Sequence, residues 1–133
     1  MKVLFVCNGN VGRSQAAEAY FNRLSKKNTA ISAGINTEKY GNRRLKEISG
    51  TVVVKCLMED GVDISEKRSK QITKAMVEEA DLVISMENKL PDYVDKKIIF
   101  WEIENPKGYP LEKYRGVRDQ IKKKVEELVG EIG

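Results

Sequence analysis

The run Lys2-Val3-Leu4-Phe5-Val6 stops at Cys7-Asn8-Gly9-Asn10-Val11-Gly12-Arg13, and from Ser14 the apolar spacing becomes that of a helix. A short stretch rich in β-branched and aromatic residues, bounded by turn formers, reads as a buried strand. Ala16, Ala17, Tyr20, Phe21 and Leu24 then share one helical face. Strand, glycine-bearing loop and helix in direct succession form the opening of a βαβ unit, which commits the chain to a parallel sheet and right-handed crossovers.

The rest of the chain keeps that alternation. Residues 29–33 read as a second strand ending at Gly34, and residues 81–86 and 97–103 as two more. Thr73 caps a short helix over 73–80. From Leu111 the apolar positions Tyr114, Val117, Ile121, Val125, Leu128 and Ile132 recur at spacings of three and four, the pattern of an amphipathic helix. Residues 42–60 are mixed: Leu45, Ile48 and residues 55–60 suit a helix, whereas Gly50 and Thr51-Val52-Val53-Val54 suit a strand. One helix closed by Gly61 is the expectation there. Together these elements predict a single α/β domain over residues 1–133, with a central parallel sheet and helices on both faces. In such sheets ligands bind beyond the carboxyl ends of strands, where residues 7–13 fall.

Composition narrows the chemistry. A hydrophobic fraction of 41% and a charged fraction of 33% suit a folded, soluble protein. No apolar run reaches about 18 residues, so no membrane span is expected. The N-terminal apolar stretch is too short for a secretion signal, which predicts a cytoplasmic protein. The net charge of +4 comes from scattered lysines without interleaved aromatics, so no nucleic-acid partner is expected. The chain has no histidine and only two cysteines, Cys7 and Cys56. Ser-His-Asp and Cys-His catalysis are thereby excluded, and no metal site or cofactor is expected.

Cys7 and Arg13 stand six apart with a helix opening directly after them. A loop of that length can wrap successive N–H groups around a tetrahedral anion. Gly9 and Gly12 are expected to supply the positive φ angles and close backbone approach of such a cradle. The helix N-terminus adds roughly half a unit of positive charge there. Arg13 can grip two phosphate oxygens through its planar fork. The same surroundings favour the thiolate form of Cys7, the nucleophilic form, without a histidine. Ser14 is placed to donate to that sulfur and Asn10 to brace the loop.

The segment Val6-Cys7-Asn8-Gly9-Asn10-Val11-Gly12-Arg13-Ser14 resembles the signature loop of the low-molecular-weight protein tyrosine phosphatases and of the arsenate reductases that share their fold. The likeness continues through Ser32-Ala33-Gly34, Asp63-Ile64-Ser65, Asp81-Leu82-Val83-Ile84-Ser85-Met86, Trp101, Asn105-Pro106 and Val117-Arg118-Asp119-Gln120-Ile121. It implies a three-layer sandwich around a four-stranded parallel sheet. It also implies attack by Cys7 on phosphorus, giving a cysteinyl-phosphate that water hydrolyses. Asn8, Gly9, Asn10, Val11, Gly12, Arg13 and Ser14 would bind the phosphate, while Asn10, Ser14 and Ser32 hold the loop in shape.

Four departures from the family pattern accompany the likeness. The general acid, an Asp before a Pro, is replaced by Asn105, and an amide cannot protonate a leaving oxygen. Glu104 and Glu102 are the neighbouring carboxylates, but an offset of one residue points a side chain elsewhere. Gly12 stands where a second loop cysteine is usual, Arg68 where a histidine often braces the loop, and Gln15 is the form met among the arsenate reductases. Residues 81–96 lack the cysteine pair of the thioredoxin-coupled reductases, and Cys56 reads as a core residue. Val11 suits a phosphotyrosine ring. The expected activity is therefore hydrolysis of phosphotyrosine or small aryl phosphates, slowed by Asn105, with inorganic phosphate as product or inhibitor. The alternatives are a thiol-dependent arsenate reductase and a phosphate-binding module without turnover.

Overall fold

The computed structural model describes residues 1–48 and 51–133. Strands β1 (Lys2–Cys7), β2 (Thr29–Gly34), β3 (Leu82–Ser85) and β4 (Ile98–Phe100) form one parallel sheet in the order β2-β1-β3-β4. Between and after them lie helices α1 (Arg13–Leu24), α2 (Val52–Met58), α3 (Lys74–Glu79) and α4 (Leu111–Ile132). β1 is paired on both edges and covered on both faces, so every residue from Val3 to Cys7 is buried. That double burial explains its unbroken apolar run. Val3, Phe5 and Cys7 face a core built with Tyr20 and Phe21 of α1, Leu57 of α2 and Ile121 and Val125 of α4. Leu4 and Val6 face the opposite layer, against Ile72, Val77 and Ala80. The Phe5 ring meets Phe21 edge-on at 6.0 Å and Trp101 at 5.5 Å. This is the three-layer α/β architecture expected.

The chain passes from β1 through α1 to β2 on one side, while β3 pairs with β1 on the other. The carboxyl end of β1 is therefore the point where strand order reverses and a crevice opens. α4 buries Val117, Ile121, Val125 and Leu128 against α1 and α2, a stripe with the expected helical spacing. Thr73 caps α3, its hydroxyl accepting from the Met76 N–H at 3.2 Å. No helix among the described residues is long and apolar enough to cross a membrane.

Three local expectations need correction. Residues 42–60 are not one helix: Leu45–Glu47 makes a single 3₁₀ turn, and α2 begins only at Val52. Gly50, whose conflicting signal lay between them, falls with Ser49 outside the described residues. The β-branched run Val52-Val53-Val54 is helical because Val53, Cys56 and Leu57 then point together into the core, and burial outweighs local propensity. The last strand has three residues rather than seven, since residues 101–103 leave the sheet while Trp101 and Ile103 stay buried. Leu24, assigned to the buried face of α1, is 38% exposed at the helix end.

Candidate active site

The loop after β1 is held open from outside. The Cys7 carbonyl accepts from Ile35 N–H at 3.0 Å, and the Asn8 carbonyl from Asn36 N–H at 2.9 Å. The Gly9 carbonyl accepts from Ser69 Oγ at 2.9 Å, and that of Asn10 from Gln15 Nε2 at 3.2 Å. Across a trans peptide the N–H points opposite to the preceding C=O. The N–H groups of Asn8, Gly9, Asn10 and Val11 are therefore turned the other way, toward the cavity that Cys7, Asn8, Gly9, Val11, Gly12 and Arg13 line. Four inward N–H groups followed by the N-terminus of α1 make an anion cradle.

The left-handed backbone of this loop sits at Asn10, with φ 54°, and not at Gly9 or Gly12 as the sequence suggested. Asn is one of the few residues other than Gly that adopts this region readily, and here its side chain is needed. Gly9 instead serves close approach: a Cβ there would stand 2.7 Å from Cε2 of Tyr40. Gly34 backs the loop from β2, where a Cβ would lie 2.8 Å from the Asn8 carbonyl oxygen and 2.9 Å from the Asn10 nitrogen.

Beneath the loop a chain of hydrogen bonds has a defined direction. Asn10 Oδ1 accepts from Lys70 N–H at 2.9 Å and from Gln15 Nε2 at 3.0 Å, which fixes the amide orientation. Asn10 Nδ2 then donates to Ser14 Oγ at 2.8 Å and to Ser32 Oγ at 3.0 Å. Ser14 Oγ lies 2.9 Å from Cys7 Sγ, within hydrogen-bond distance, and its own hydrogen is free to turn toward the sulfur. Ser32 gives its own hydrogen to Glu18 Oε1 at 3.0 Å, and the other Glu18 oxygen faces Lys67 Nζ at 3.5 Å. Asn10, Ser14, Gln15 and Ser32 are all fully buried. Asn10 and Ser14 thus support the loop from beneath, and neither lines the cavity.

Arg13 is buried and spans two elements. Its Nη1 donates to the Met86 carbonyl at 3.0 Å and the Ile103 carbonyl at 2.8 Å, and Nη2 lies 3.4 Å from Glu87. These bonds tie the loop to the ends of β3 and of the segment after β4. The cavity above has a volume of about 550 Å³. Its walls include Val11, Tyr40, Ile48, Val53 and Tyr114, with Asn105 and Pro106 at the rim. Asn105 is exposed, and its Oδ1 accepts from Lys107 N–H at 3.2 Å. Glu104 pairs with Lys113 at 2.9 Å and, like Glu102, lines an adjoining depression that shares Arg13, Asn105 and Val117 with the Cys7 cavity.

A strand-end cysteine, an inward-facing amide loop and an arginine at the head of α1 coincide with a known family. The family model for low molecular weight phosphotyrosine protein phosphatase matches residues 2–133. The chain belongs to that family. It is 34% identical to the glutaredoxin arsenate reductase of Synechocystis sp., over 98% of each protein. It is 29% identical to an arsenate reductase of Staphylococcus aureus, covering 93% of this chain and 92% of that one. Among solved structures, the low molecular weight protein tyrosine phosphatase of T. tengcongensis superposes with a TM-score of 0.82 at 30% identity, over 98% of this chain and 99% of that one. An arsenate reductase in the phosphate binding state gives 0.81 at 33% identity, over 99% and 98%. Both branches of the low molecular weight phosphatase family are thus represented among its relatives.

Within this family chain, several supporting residues escaped the sequence reading. Arg68, whose part in the bracing the sequence left open, turns its side chain out to the Asn42 carbonyl. Bracing comes from Lys70 and Gln15 instead. Lys70 Nζ reaches Asn10 Oδ1 at 3.4 Å and the Arg68 carbonyl at 3.2 Å. Burial holds the Lys70 ammonium below the ordinary lysine range, while Glu18 and Cys7 pull the other way. Gln15 Nε2 also donates to the Arg68 carbonyl at 2.9 Å. Ser69 and Gly34 complete the support. Gly34, in the quoted Ser32-Ala33-Gly34, and Gln15, noted as the form met among the arsenate reductases, carried a signal in the sequence; Lys70 and Ser69 carried none. Cys56 is buried in α2 and does not line the cavity; burial first, then Glu59, pushes its thiol up.

Proposed function

We propose that this chain is a cytoplasmic, cysteine-dependent phosphatase acting on aryl phosphate monoesters, with phosphotyrosine as the fitting side chain. The observation that carries this reading is Cys7 Sγ, hydrogen-bonded to Ser14, at the base of an amide-lined cavity whose walls are Val11 and Tyr40. A phosphate in the cradle would present phosphorus to the sulfur and its aryl group to those walls. The Cys7 thiolate attacks phosphorus, the P–O bond to the aryl oxygen breaks, and the phenolate leaves with the bonding pair. The loop N–H groups and Arg13 stabilise charge on the equatorial oxygens. Water then hydrolyses the cysteinyl-phosphate and releases inorganic phosphate, which competes with substrate for the same cradle. Asn105 supplies no proton, and Glu104 is paired with Lys113 and does not line the Cys7 cavity, so good leaving groups are favoured.

Hydrolysis of p-nitrophenyl phosphate tests this reading, because nitrophenolate leaves without acid assistance. Wild type is expected to turn over, with Cys7→Ser reduced on the order of 10⁴-fold or more. Equal inertness of both proteins overturns the phosphatase assignment.

The relatives named arsenate reductases favour a second reading. Arsenate has the tetrahedral shape of phosphate and suits the same cradle. Reducing it to arsenite takes two electrons, supplied as two thiols become one disulfide. Cys7 is the one thiol lining the cavity, so an external small thiol would supply the other sulfur. Arsenite formed from arsenate with glutathione, at a rate exceeding the hydrolysis of p-nitrophenyl phosphate, would select this reading.

A further inference from the structure

The cavity that opens on Cys7 is lined by five cations, Arg13, Lys39, Arg43, Lys107 and Arg118, and by no carboxylate among the described residues. One phosphate does not require so many. Arg13 sits at the base and is paired with Glu87, and Arg118 is paired with Glu59 and Asp119. Lys39, Arg43 and Lys107 have no ion pair among the described residues. They come from two separate segments that face each other across the mouth. Lys39 belongs to the turn Glu38–Tyr40, and Lys107 follows Asn105-Pro106.

Lys39 and Lys107 both line the mouth of this one cavity. Contact with Lys39 and the repulsion of its charge push Lys107 below the ordinary lysine range. Like charges brought together without a counterion cost free energy, which an anion seated between them offsets. The turn that carries Lys39 is fixed by Arg43, whose Nε donates to the Tyr40 carbonyl at 2.8 Å and Nη2 to the Lys39 carbonyl at 2.9 Å. Lys39 Nζ lies 5.1 Å from the centre of the Tyr40 ring. The lysine pair therefore stands at the edge of the slot that would hold a substrate's aromatic ring.

We propose that Lys39 and Lys107 form a second anion subsite, which takes a carboxylate of a peptide residue flanking the phosphorylated aromatic side chain. This rests on the aryl-phosphatase reading and specifies its substrate class: acidic phosphopeptides over neutral ones.

The test uses fluorescence anisotropy on the non-hydrolysing Cys7→Ser protein, with two phosphotyrosine peptides that differ only in flanking Glu or Gln. The Glu peptide is expected to bind about fivefold more tightly, the worth of one or two partly exposed ion pairs. The gap should shrink as salt rises. In Cys7→Ser carrying Lys39→Gln and Lys107→Gln, both at exposed positions, the two peptides should bind alike. Equal affinities in the parent, a preference that survives loss of both lysines, or failure of either peptide to bind each overturns the subsite. Wild-type turnover of p-nitrophenyl phosphate, scored separately, tells whether the phosphatase reading stands or falls with it.

Discussion

In the loop after β1 and the first turn of α1, Asn10, Ser14 and Gln15 are fully buried, and Asn10 and Gln15 are joined to residues from β2 and from the segment before α3. Across the cavity, Asn105, Lys107, Gly108 and Tyr109 are exposed, and among the described residues the Asn105 side chain hydrogen-bonds only with the Lys107 N–H. The first region is preorganised before any ligand arrives; the second is a turn in solvent. Stabilising the charge on a phosphoryl group depends on fixed dipoles, so that function belongs to the buried side. Proton delivery needs one titratable group at the rim, and the rim has been left with an amide. Under the aryl-phosphatase reading, the contrast teaches that binding the phosphoryl group and protonating the leaving oxygen are tasks of separable parts of this molecule.

Restoring the rim is the sharpest way to test that separation. Asn105→Asp places a carboxyl group in the Cys7 cavity without touching the loop. Turnover of phenyl phosphate or phosphotyrosine should rise by about 10²-fold, the range of a positioned general acid. Turnover of p-nitrophenyl phosphate should change little. An equal gain on both substrates would show that the rim acts on something other than the leaving group.

Breaking the buried side comes next. Asn10→Ala strands Ser14, Ser32, Gln15 and the Lys70 N–H, and forces Ala into the left-handed region. A loss of about 3 kcal/mol in urea unfolding is expected, with turnover of p-nitrophenyl phosphate down by about tenfold through kcat. Asn10→Gly relieves the backbone but not the stranded partners. It should recover part of the stability and none of the turnover if the side chain orients Ser14 toward Cys7.

The two regions also differ in how far the sequence announces them. The strand, loop and helix around Cys7 are legible because the apolar period changes from strand to helix where the turn residues stand. Cys7, Arg13 and the bracing role of Asn10 follow from local spacing. Lys70 does not, because its partnership with Asn10 is made by the fold, across 60 residues. The left-handed residue was sought at glycine, since glycine adopts that region without penalty, but the loop needed the Asn10 amide at that position. Over residues 42–60 the expected helix holds at Val52–Met58, where Val53, Cys56 and Leu57 obey the core they pack against rather than the strand preference of the valine run. It fails at Leu45–Glu47, which makes only a 3₁₀ turn.

A smaller perturbation lies where the two regions meet. Gly9 belongs to the loop and Tyr40 to the opposite wall, with no room between them for a methyl group. In Gly9→Ala the ring must swing aside, at a cost of about 1 kcal/mol. The KM for phosphotyrosine should rise roughly fivefold, while kcat and the rate of Cys7 alkylation by iodoacetamide stay near wild type. A fall in kcat instead would mean that the added methyl group distorts the cradle itself.

The smallest effect concerns the wall behind both regions, where α2 meets α4. Glu59, just after α2, pairs with Arg115 at 2.8 Å and Arg118 at 2.8 Å. Hydrogen bonds from Arg115 first, and then from Arg118, pull its carboxyl down to about 2. A carboxylate depressed in the folded state contributes stability that is complete above its unfolded value, near 4.5, and is lost as pH falls toward 2. Glu59→Gln should therefore melt slightly below wild type at pH 7, and the gap should close between pH 4.5 and 2. Because these groups are partly exposed, salt should narrow the gap at neutral pH as well. If the variant also lowers phosphotyrosine turnover at neutral pH, the α2–α4 contact shapes the cavity, and the loop's own hydrogen bonds are not sufficient to hold the site.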